Sequence, residues 1–262
     1  DVYKRQILVD NGSNNKEEIQ SGIQNFNTDK ILYIDLHKNK GIAAALNVIA
    51  ESTESCGVKW VLTLDQDTVC KDDIIDKYRP YLSMKNVGQF TCLYQDRNFI
   101  EDEYKNEGSE FGNLKEVPWC ITSAALLNVE AWKKAGKFDE SLFIDQVDYD
   151  MCLTMREKGY YIYQVGFVGF VHEIGQGHII KVGSWKIKTW NHSPFRRYYG
   201  TRNAIIVAKK HNEINMMRAI LGAVKHIVII FVFENDKWNK LSAGVKGLRD
   251  GFCIAWNRER GM

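Results

Sequence analysis

Apolar runs of strand length alternate with amphipathic segments in the first quarter of the chain. The runs at 7–9, 30–36 and 60–64 each end in polar residues, as buried strands do. Segments 14–27 and 42–52 lie between them and carry apolar residues at helical spacing. Because strands that alternate with helices pair through right-handed crossovers, this pattern predicts an α/β fold with a mostly parallel central sheet flanked by helices.

The pattern is less regular in the middle of the chain. Asp72 or Asp73 is positioned to cap a helix that runs to the vicinity of Pro80. Residues 96–113 are polar and predict an excursion over the sheet edge. The other predicted elements are a strand at 87–92, two short strands within 117–127, a helix at 130–135 ended by Gly136, a helix at 151–158 ended by Gly159 and a strand at 160–165.

The composition becomes basic and aromatic from residue 184 onward. Segment 215–233 has a long apolar face that Arg218, Lys225 and His226 interrupt, which favours an interfacial or docking helix over a spanning one. Packing of this helix on its own domain is the alternative interpretation. We therefore predict an α/β domain at 1–183 and a C-terminal helical region at 184–262 that contacts either a membrane surface or a substrate.

The composition of the chain argues against nucleic-acid binding and favours a cytoplasmic location. The 35 basic and 33 acidic residues nearly balance, so the chain lacks the strong positive field of nucleic-acid-binding proteins. Six cysteines without a CxxC pair are typical of reduced, structural thiols. A signal peptide and a run of about 18 uncharged apolar residues are both missing from the sequence, which predicts a cytoplasmic protein.

The first candidate chemistry lies at the end of the apolar run 60–64. Asp65 and Asp67 follow it directly, and a strand that is buried on both faces gains nothing from a pair of acids unless a cation binds there. A divalent metal is the natural candidate, and a solvated turn is the alternative. The chain also opens on a strand that is already followed by the turn Asn11-Gly12, which predicts a companion strand upstream of residue 1.

A second acidic cluster covers 145–150. If a helix begins near Gln146, Asp148 lies in its first turn, where the helix dipole favours the ionised carboxylate. An ordinary acidic helix start is the alternative. His172 follows the apolar run 165–171 at another predicted strand end, where it is either structural or a ligand of Mn²⁺ or Mg²⁺ beside the carboxylates.

Six blocks of sequence, taken in order, resemble the inverting, GT-A-fold glycosyltransferases of family two, and among them the bacterial rhamnosyltransferases. The blocks are VDNGSNN at 9–15, NKGIAAALN at 39–47, LTLDQDT at 62–68, ITSAALL at 121–127, FDESLFIDQVDYDMCL at 138–153 and RRYYGTRN at 196–203. The resemblance covers nearly the whole chain. It departs from the family at the start, where the chain begins at what corresponds to the second strand.

The resemblance implies roles for individual residues on the donor side. Asp10 would contact the nucleotide base, and Asn39 and Gly41 would line the nucleotide pocket. Asp65 would approach the ribose and the metal, while Ser123 would lie at the donor sugar.

The resemblance also implies the reacting groups. Asp67 and His172 would bind the Mg²⁺ or Mn²⁺ ion that bridges the diphosphate. Asp148 would take the proton from the acceptor hydroxyl, and Trp119 would contribute to the acceptor surface.

The implied activity is transfer of rhamnose from dTDP-rhamnose to a saccharide or lipid-linked acceptor, in the synthesis of a bacterial cell-surface or cell-wall polysaccharide at the inner membrane face. UDP-galactose, UDP-N-acetylglucosamine and UDP-galactofuranose would leave the same motifs and stay open as donors. A catalytically silent sugar-nucleotide-binding subunit or fragment is the alternative of a different class, and nucleotide binding without turnover would distinguish it.

Overall fold

The computed structural model describes residues 5–26, 30–71, 73–96, 113–172, 178–182 and 185–254. For Asp96, His172, 178–182 and 185–188 the description is limited to the backbone. The strands are β1 Gln6–Asp10, β2 Ile31–Asp35, β3 Trp60–Thr63, β4 Val69–Cys70, β5 Val87–Asp96, β6 Leu114–Glu116, β7 Ala125–Asn128, β8 Tyr161–His172, β9 His178–Val182 and β10 Trp185–Thr189. The α-helices are α1 Lys16–Gln24, α2 Ile42–Ser55, α3 Ile74–Tyr78, α4 Val129–Ala135, α5 Val147–Glu157, α6 Pro194–Lys210, α7 Met216–Phe233 and α8 Lys237–Cys253.

The strands form a mixed sheet with helices packed on it, which confirms the α/β class. The largest sheet has the order β3-β7-β5-β8-β4, and β6 also pairs with β8. Its longest pairing, β5 with β8, is parallel, and β1 and β2 form a separate parallel pair. The short strands β3, β4, β6 and β7 pair antiparallel, so the sheet is more mixed than the alternation predicts. The reason is that a strand reached through a loop is free to run antiparallel, whereas a helical crossover returns the chain in the parallel direction.

Strand β3 is less buried than its apolar sequence suggests. Trp60, Val61 and Leu62 are half-buried, and Leu64 beyond the strand end is 49% exposed. Among the described residues β3 pairs with β7 on one side only, so its other edge has no strand partner there. Val61 packs against one core group, and Trp60 and Leu62 pack against the other, so both faces of this strand are covered as expected, although only in part. The acidic turn follows the carboxyl end of the strand.

Two groups of buried side chains form the core on opposite faces of the sheet. Helices α2, α4 and α5 supply the first group, which includes Leu46, Trp132 and Met151. The second group contains Tyr78, Phe90, Phe167 and Phe170. Helix α5, which begins at the second acidic cluster, is thus fixed through its apolar face to the main core.

The buried side chain of Asn47 ties the first core group together. Its amide oxygen accepts hydrogen bonds from the Trp132 indole at 3.1 Å and from the Phe138 backbone at 2.9 Å. Its amide nitrogen donates to the Phe138 carbonyl at 3.0 Å. Because the buried amide has partners on both atoms, it fixes α2 and α4 at little desolvation cost.

The C-terminal region is a compact group of helices in which α6 and α8 approach closely. A Cβ atom on Gly247 would lie 2.3 Å from the Tyr198 carbonyl oxygen, and one on Gly251 would lie 2.8 Å from that of Arg202. Glu234, at the end of α7, is buried and paired with Arg197 of α6 and Lys240 of α8. These contacts join all three helices.

Several predicted element bounds need correction. Helix α3 is only five residues long, and Asp73 stands at its N-cap without a side-chain capping bond. Instead of two strands within 117–127, the chain forms β6 before this range, a loop over 117–124 and β7 at its end, because Pro118 lacks the N–H that a strand ladder needs. Asp72 and residues 97–112 of the predicted excursion lie outside the described residues. Strand β8 extends past 165 because the apolar run 165–171 continues it without a break.

Helix α7 corrects the expectation about membrane-length segments. It is the one helix among the described residues that is long and apolar enough to cross a membrane, by length and composition only. The sequence prediction missed α7 because it considered only uncharged stretches, and α7 contains the charged residues Arg218 and Lys225.

Candidate active site

The loop after β1 holds Asp10 in a buried, fully organised position. The carboxylate accepts a hydrogen bond from the Ser13 backbone at 2.7 Å and another from the Tyr33 hydroxyl at 2.7 Å. Burial alone would raise the pKa of Asp10, but these hydrogen bonds outweigh it and lower the pKa to about 2. Asp10 is therefore a permanent anion at the carboxyl end of a parallel strand pair, where α/β sheets bind ligands.

Asn39 and Gly41 lie in the loop that leads into α2, beside the loop after β1. The Asn11 amide donates to Asn39 Oδ1 at 3.2 Å and to the Gly41 carbonyl at 3.1 Å. Gly41 has a φ of 88°, and a Cβ atom there would lie 2.6 Å from the Phe143 carbonyl oxygen. That carbonyl accepts a hydrogen bond from Ile42 N at 2.7 Å. The predicted nucleotide loop therefore touches the loop that precedes α5, and only glycine allows the approach.

The acidic turn after β3 is joined to the loop before β7. Thr68 N donates to the Asp65 carbonyl at 3.1 Å, which closes a turn around Asp67. The Thr68 hydroxyl makes a short hydrogen bond with the hydroxyl of Ser123, which is buried. Ser123 thus holds the acidic turn in place, and this contact puts the DxD segment and the predicted donor-sugar residue side by side.

The loop before α5 has an unusual backbone. Phe143, Asp145 and Gln146 all have positive φ values, of 63°, 62° and 65°. Such conformations cost residues with a Cβ atom about 1 to 3 kcal/mol each and persist where surrounding contacts enforce them. The start of α5, and with it Asp148, is consequently set by a strained turn that the rest of the protein must hold.

Helix α6 supplies the contacts that hold this strained turn. Asn203 is fully buried, and its amide nitrogen lies 2.7 Å, 2.8 Å and 2.9 Å from the carbonyl oxygens of Leu142, Ile144 and Asp145. Arg196 of the same helix donates to the Asp145 carboxylate at 2.7 Å. The C-terminal region is therefore part of the site, because it fixes the backbone on which Asp148 stands.

Asp148 lies in the first turn of α5 with a strongly shifted pKa. Burial raises the pKa of this carboxyl to about 6, and the nearby negative charges of Asp145 and Asp65 add to the shift. Hydrogen bonds from backbone N–H groups, including that of Tyr149 at 2.8 Å, oppose it only in part. A carboxyl group of this kind is ionised at neutral pH and is basic enough to accept a proton. The two acidic clusters are connected through the loop 117–124, in which Ser123 contacts Thr68 and Trp119 contacts Tyr149.

An aromatic pair borders Asp148. The Trp119 and Tyr149 rings are 5.8 Å apart in an edge-to-face arrangement, and Trp119 is 46% exposed. The neighbouring thiols of Cys120 and Cys152 are buried, with their sulfur atoms 3.9 Å apart. Exposed aromatic rings beside a basic carboxylate suit a sugar ring, whose C–H face packs on aromatic surfaces.

A cationic group lies at the start of α6. Among the described residues, the Nε atoms of Arg196 and Arg197 and the indole N–H of Trp190 are buried without a hydrogen-bond partner. Burial lowers the pKa of His192 to about 4, and the charge of Arg196 contributes to the same effect. The two guanidinium groups already pair with carboxylates, Arg196 with Asp145 and Arg197 with Glu234.

The donor set for a divalent metal fits in part. Asp65 and Asp67 offer hard carboxylate oxygens, which Mg²⁺ and Mn²⁺ prefer, and metals that act on diphosphates take their remaining ligands from phosphate and water. Among the described residues, His, Cys, Asp and Glu form no group of three that could hold a metal alone. The His172 side chain, the third predicted ligand, lies outside the description.

Sequence reasoning located the carboxylates but missed the residues that position them. The loops that carry Asn39, Gly41, Asp65 and Ser123 contact one another or the start of α5, where Asp148 lies. Asn203 and Arg196 were not predicted as site residues, although both lie in the RRYYGTRN block. The block itself was the signal that could have found them.

Comparison with solved structures identifies the fold of the chain. The mannosyltransferase PcManGT from Pyrobaculum calidifontis, in complex with GDP-Man and Mn²⁺, matches with a TM-score of 0.55 and 15% identity over 97% of this chain and 67% of that one. TarS 1–349 from S. aureus, in complex with UDP-GlcNAc, matches with a TM-score of 0.55 and 13% identity over 94% and 71%. GalNAc-T7 with UDP, GalNAc and Mn²⁺ matches with a TM-score of 0.56 and 11% identity over 79% of this chain, which spans 42% of that protein. The fold is that of the GT-A glycosyltransferases.

Sequence comparison adds a family match over the first part of the chain and a similar curated protein. Residues 4–122 match the model of the family described as glycosyl transferase family 2. The dTDP-rhamnosyl transferase RfbF of Shigella flexneri is 27% identical in an alignment of 236 positions that covers 85% of this chain and 79% of that protein. The family match over residues 4–122 and the similarity to a rhamnosyl transferase confirm the resemblance drawn from the six sequence blocks and support a glycosyltransferase.

Proposed function

We propose that this glycosyltransferase moves rhamnose from dTDP-rhamnose to a saccharide hydroxyl with inversion at the sugar carbon. The donor is inferred from the similarity to the rhamnosyl transferase RfbF. The observation that carries the mechanism is Asp148, a carboxylate with a pKa of about 6 at the start of α5, close enough to Asp65 to feel its charge. The proposal includes the roles that the family resemblance implies for the individual site residues.

The residues of the chain divide the work between donor and acceptor. Asp10, Asn39 and Gly41 bind the nucleotide, and Ser123 lies at the donor sugar. Trp119 and Tyr149 orient the acceptor sugar beside Asp148. This carboxylate takes the proton of the attacking hydroxyl, and one base is enough because direct displacement forms no covalent intermediate.

The leaving group gains negative charge during transfer, and the protein must stabilise it. Asp65 and Asp67, with His172, would hold Mg²⁺ or Mn²⁺, which supplies charge stabilisation to the departing diphosphate. The PcManGT and GalNAc-T7 structures contain Mn²⁺, which supports a divalent metal here.

The site of action follows from the expected product. We propose that the acceptor is a saccharide, carried in the cell on a lipid, and that transfer takes place at the cytoplasmic face of the cell membrane during polysaccharide synthesis. The division into residues 1–183 for donor binding and catalysis and 184–262 for positioning is part of this proposal. Asn203 adds a role for the second part, because it holds the loop that precedes Asp148.

Calorimetric titration tests the donor and the metal together. The purified chain is titrated with dTDP-rhamnose, dTDP, UDP-galactose and UDP, each with Mn²⁺ or Mg²⁺ and again with EDTA. We expect binding of the dTDP series only, with a loss of affinity in EDTA. Asp67→Asn should lose this metal dependence, whereas Asp76→Asn, an exposed acid on α3, should keep it.

Other outcomes would redirect the proposal. Metal-dependent binding of the UDP series alone would replace rhamnose with a UDP-linked sugar such as galactose, galactofuranose or N-acetylglucosamine. Binding of a nucleotide sugar without turnover in the presence of saccharide acceptors would indicate a silent binding subunit. Failure of every nucleotide to bind would contradict the proposal for this chain.

A further inference from the structure

Helix α7 turns its apolar side away from the protein. Only Ala223 and Ile230 of this helix are buried, and both lie on the side that packs against the rest of the C-terminal region. The opposite side carries exposed apolar side chains at helical spacing: Met217, Leu221, Val224, Val228, Phe231 and Val232. A surface helix of a globular protein normally shows the reverse pattern, with its apolar stripe toward the core. This outward stripe therefore needs a partner.

Helix α8 extends the same kind of surface. Trp238 is 77% exposed, and its ring contacts the Phe231 ring of α7 at 6.4 Å between centroids. Val245 and Phe252 are exposed further along α8. We call the stripe on α7 together with Trp238 the apolar face. Its tryptophan has the amphipathic character that places such rings at the boundary between lipid headgroups and acyl chains.

Charge around the apolar face is positive. Six basic and three acidic side chains lie between Met216 and Cys253. Arg218 and Lys225 follow one border of the stripe, as their helical positions require, and both are exposed. Of the acids, Glu234 is buried against Arg197 and Lys240, Asp250 is paired with Arg249, and Asp236 is exposed. The exposed Arg218, Lys225, Lys237 and Lys246 outnumber it. The outward charge is thus basic, which complements an anionic surface.

The fixed ends of α7 indicate that it lies along a surface rather than across a bilayer. Its 18 residues span about 27 Å, slightly less than the hydrocarbon core of a membrane. Arg218 and Lys225 would have to enter that core. The Glu234 ion pairs also hold the end of α7 to α6 and α8, and a spanning position would leave them behind.

We propose that the apolar face is a docking surface for a bilayer with anionic headgroups, in which α7 lies parallel to the membrane plane. The inference deepens the proposed function, on which it rests for the lipid-linked acceptor. Because α6 packs on α8 and holds the loop before Asp148 through Asn203, docking orients the active site relative to the membrane. The partner is the lipid surface itself, recognised by apolar burial and by Arg218 and Lys225.

Vesicle flotation with the full chain tests the proposal. Vesicles of phosphatidylcholine are compared with vesicles that also contain phosphatidylglycerol, at low and high salt. We expect binding to the anionic vesicles that weakens with salt. Leu221→Glu and Val228→Glu should each weaken binding about tenfold or more, because a charge replaces buried apolar area. Arg218→Gln with Lys225→Gln should abolish the preference for anionic lipid.

Phe26→Glu is the matched control, because it also replaces an exposed apolar side chain with a carboxylate. Phe26 is 71% exposed and lies outside the apolar face. Transfer to a soluble acceptor, measured for each variant, separates failure of docking from failure of the proposed function. The proposal is wrong if the parent floats with neither kind of vesicle, or if Leu221→Glu binds as well as the parent. A dimer in solution that Leu221→Glu disperses, without vesicle binding, would assign the face to a second copy of the chain and overturn the proposal.

Discussion

The loop after β1 and the start of α5 each carry a carboxylate with a shifted pKa, and the two shifts have opposite directions. Asp10 receives hydrogen bonds from Ser13 and Tyr33, and its pKa falls to about 2. Asp148 is half-buried, and its partial loss of hydration together with the like charges of Asp145 and Asp65 raises its pKa to about 6. The first environment makes an anion that holds its charge, and the second makes one that exchanges a proton. Residue type alone does not distinguish these roles, but the neighbouring groups do.

Removing the proton-exchanging carboxylate should have the largest effect. Asp148→Asn keeps the size of the side chain but cannot accept the acceptor proton, so we expect the transfer rate to fall by about 10²- to 10⁴-fold. Donor affinity should stay near that of the parent, as measured by calorimetry. The variant should also unfold at higher denaturant concentration at neutral pH, because a carboxyl whose folded pKa is raised destabilises the fold above that pKa. A transfer rate close to the parent value would show that another group is the base.

Releasing the loop that carries Asp148 should have the next largest effect. Asn203→Ala removes the amide that contacts three carbonyls, which should lower the free energy of unfolding by about 1 to 3 kcal/mol. If Asn203 positions the strained turn, kcat should fall by a larger factor than the donor affinity does. The acid limb of the pH–rate profile should also shift, because Asp145, whose charge raises the pKa of Asp148, would change position. The exposed Asn239 gives the matched control, Asn239→Ala, which should change neither quantity. Loss of stability with an unchanged pH profile would reduce Asn203 to a packing role.

Asp10, the carboxylate that keeps its charge, should respond to an Asp→Asn substitution through donor binding and not through the transfer rate. Asp10→Asn should weaken donor binding about tenfold through the loss of one charged acceptor, with kcat nearly unchanged at saturating donor. A depressed folded pKa contributes stability above the unfolded value of 3.8 that is lost as pH falls toward 2. Acid unfolding curves should therefore be steeper for the parent than for Asp10→Asn in this window. Equal donor affinity in the two proteins would remove Asp10 from the nucleotide site.

The smallest effect concerns the electrostatic coupling at Asp148. The rate of the parent should fall as pH decreases through about 6, since protonated Asp148 cannot act as a base. Asp145→Asn removes one like charge and should move this limb to lower pH by less than one unit, because burial is the larger cause of the shift. The pH–rate profile at saturating donor measures both. A limb that moves upward would mean that the loss of the Arg196 pair outweighs the loss of repulsion.

The sequence predicted one part of this site better than the other, for a physical reason. Strand ends and helix starts follow from local periodicity, so Asp65, Asp67 and Asp148 could be placed on their elements in advance. The brace from Asn203 to the loop before α5 joins residues about 60 positions apart, and such a contact leaves no periodic trace in either segment. The open edge of β3 also escaped prediction, because an apolar run does not reveal how many strands flank it.

The crossing of α6 and α8 has a consequence for how this chain can change over evolutionary time. At Gly247 and Gly251 the space for a Cβ atom is already taken by the backbone of the partner helix. A substitution there cannot be absorbed by a rotamer change, and it would push apart the two helices that connect the apolar face to the active site. We expect relatives with this helix pair to keep both glycines while the exposed residues around them drift, so the spacing G-x-x-x-G near the end of the chain should serve as a marker of the shared C-terminal architecture.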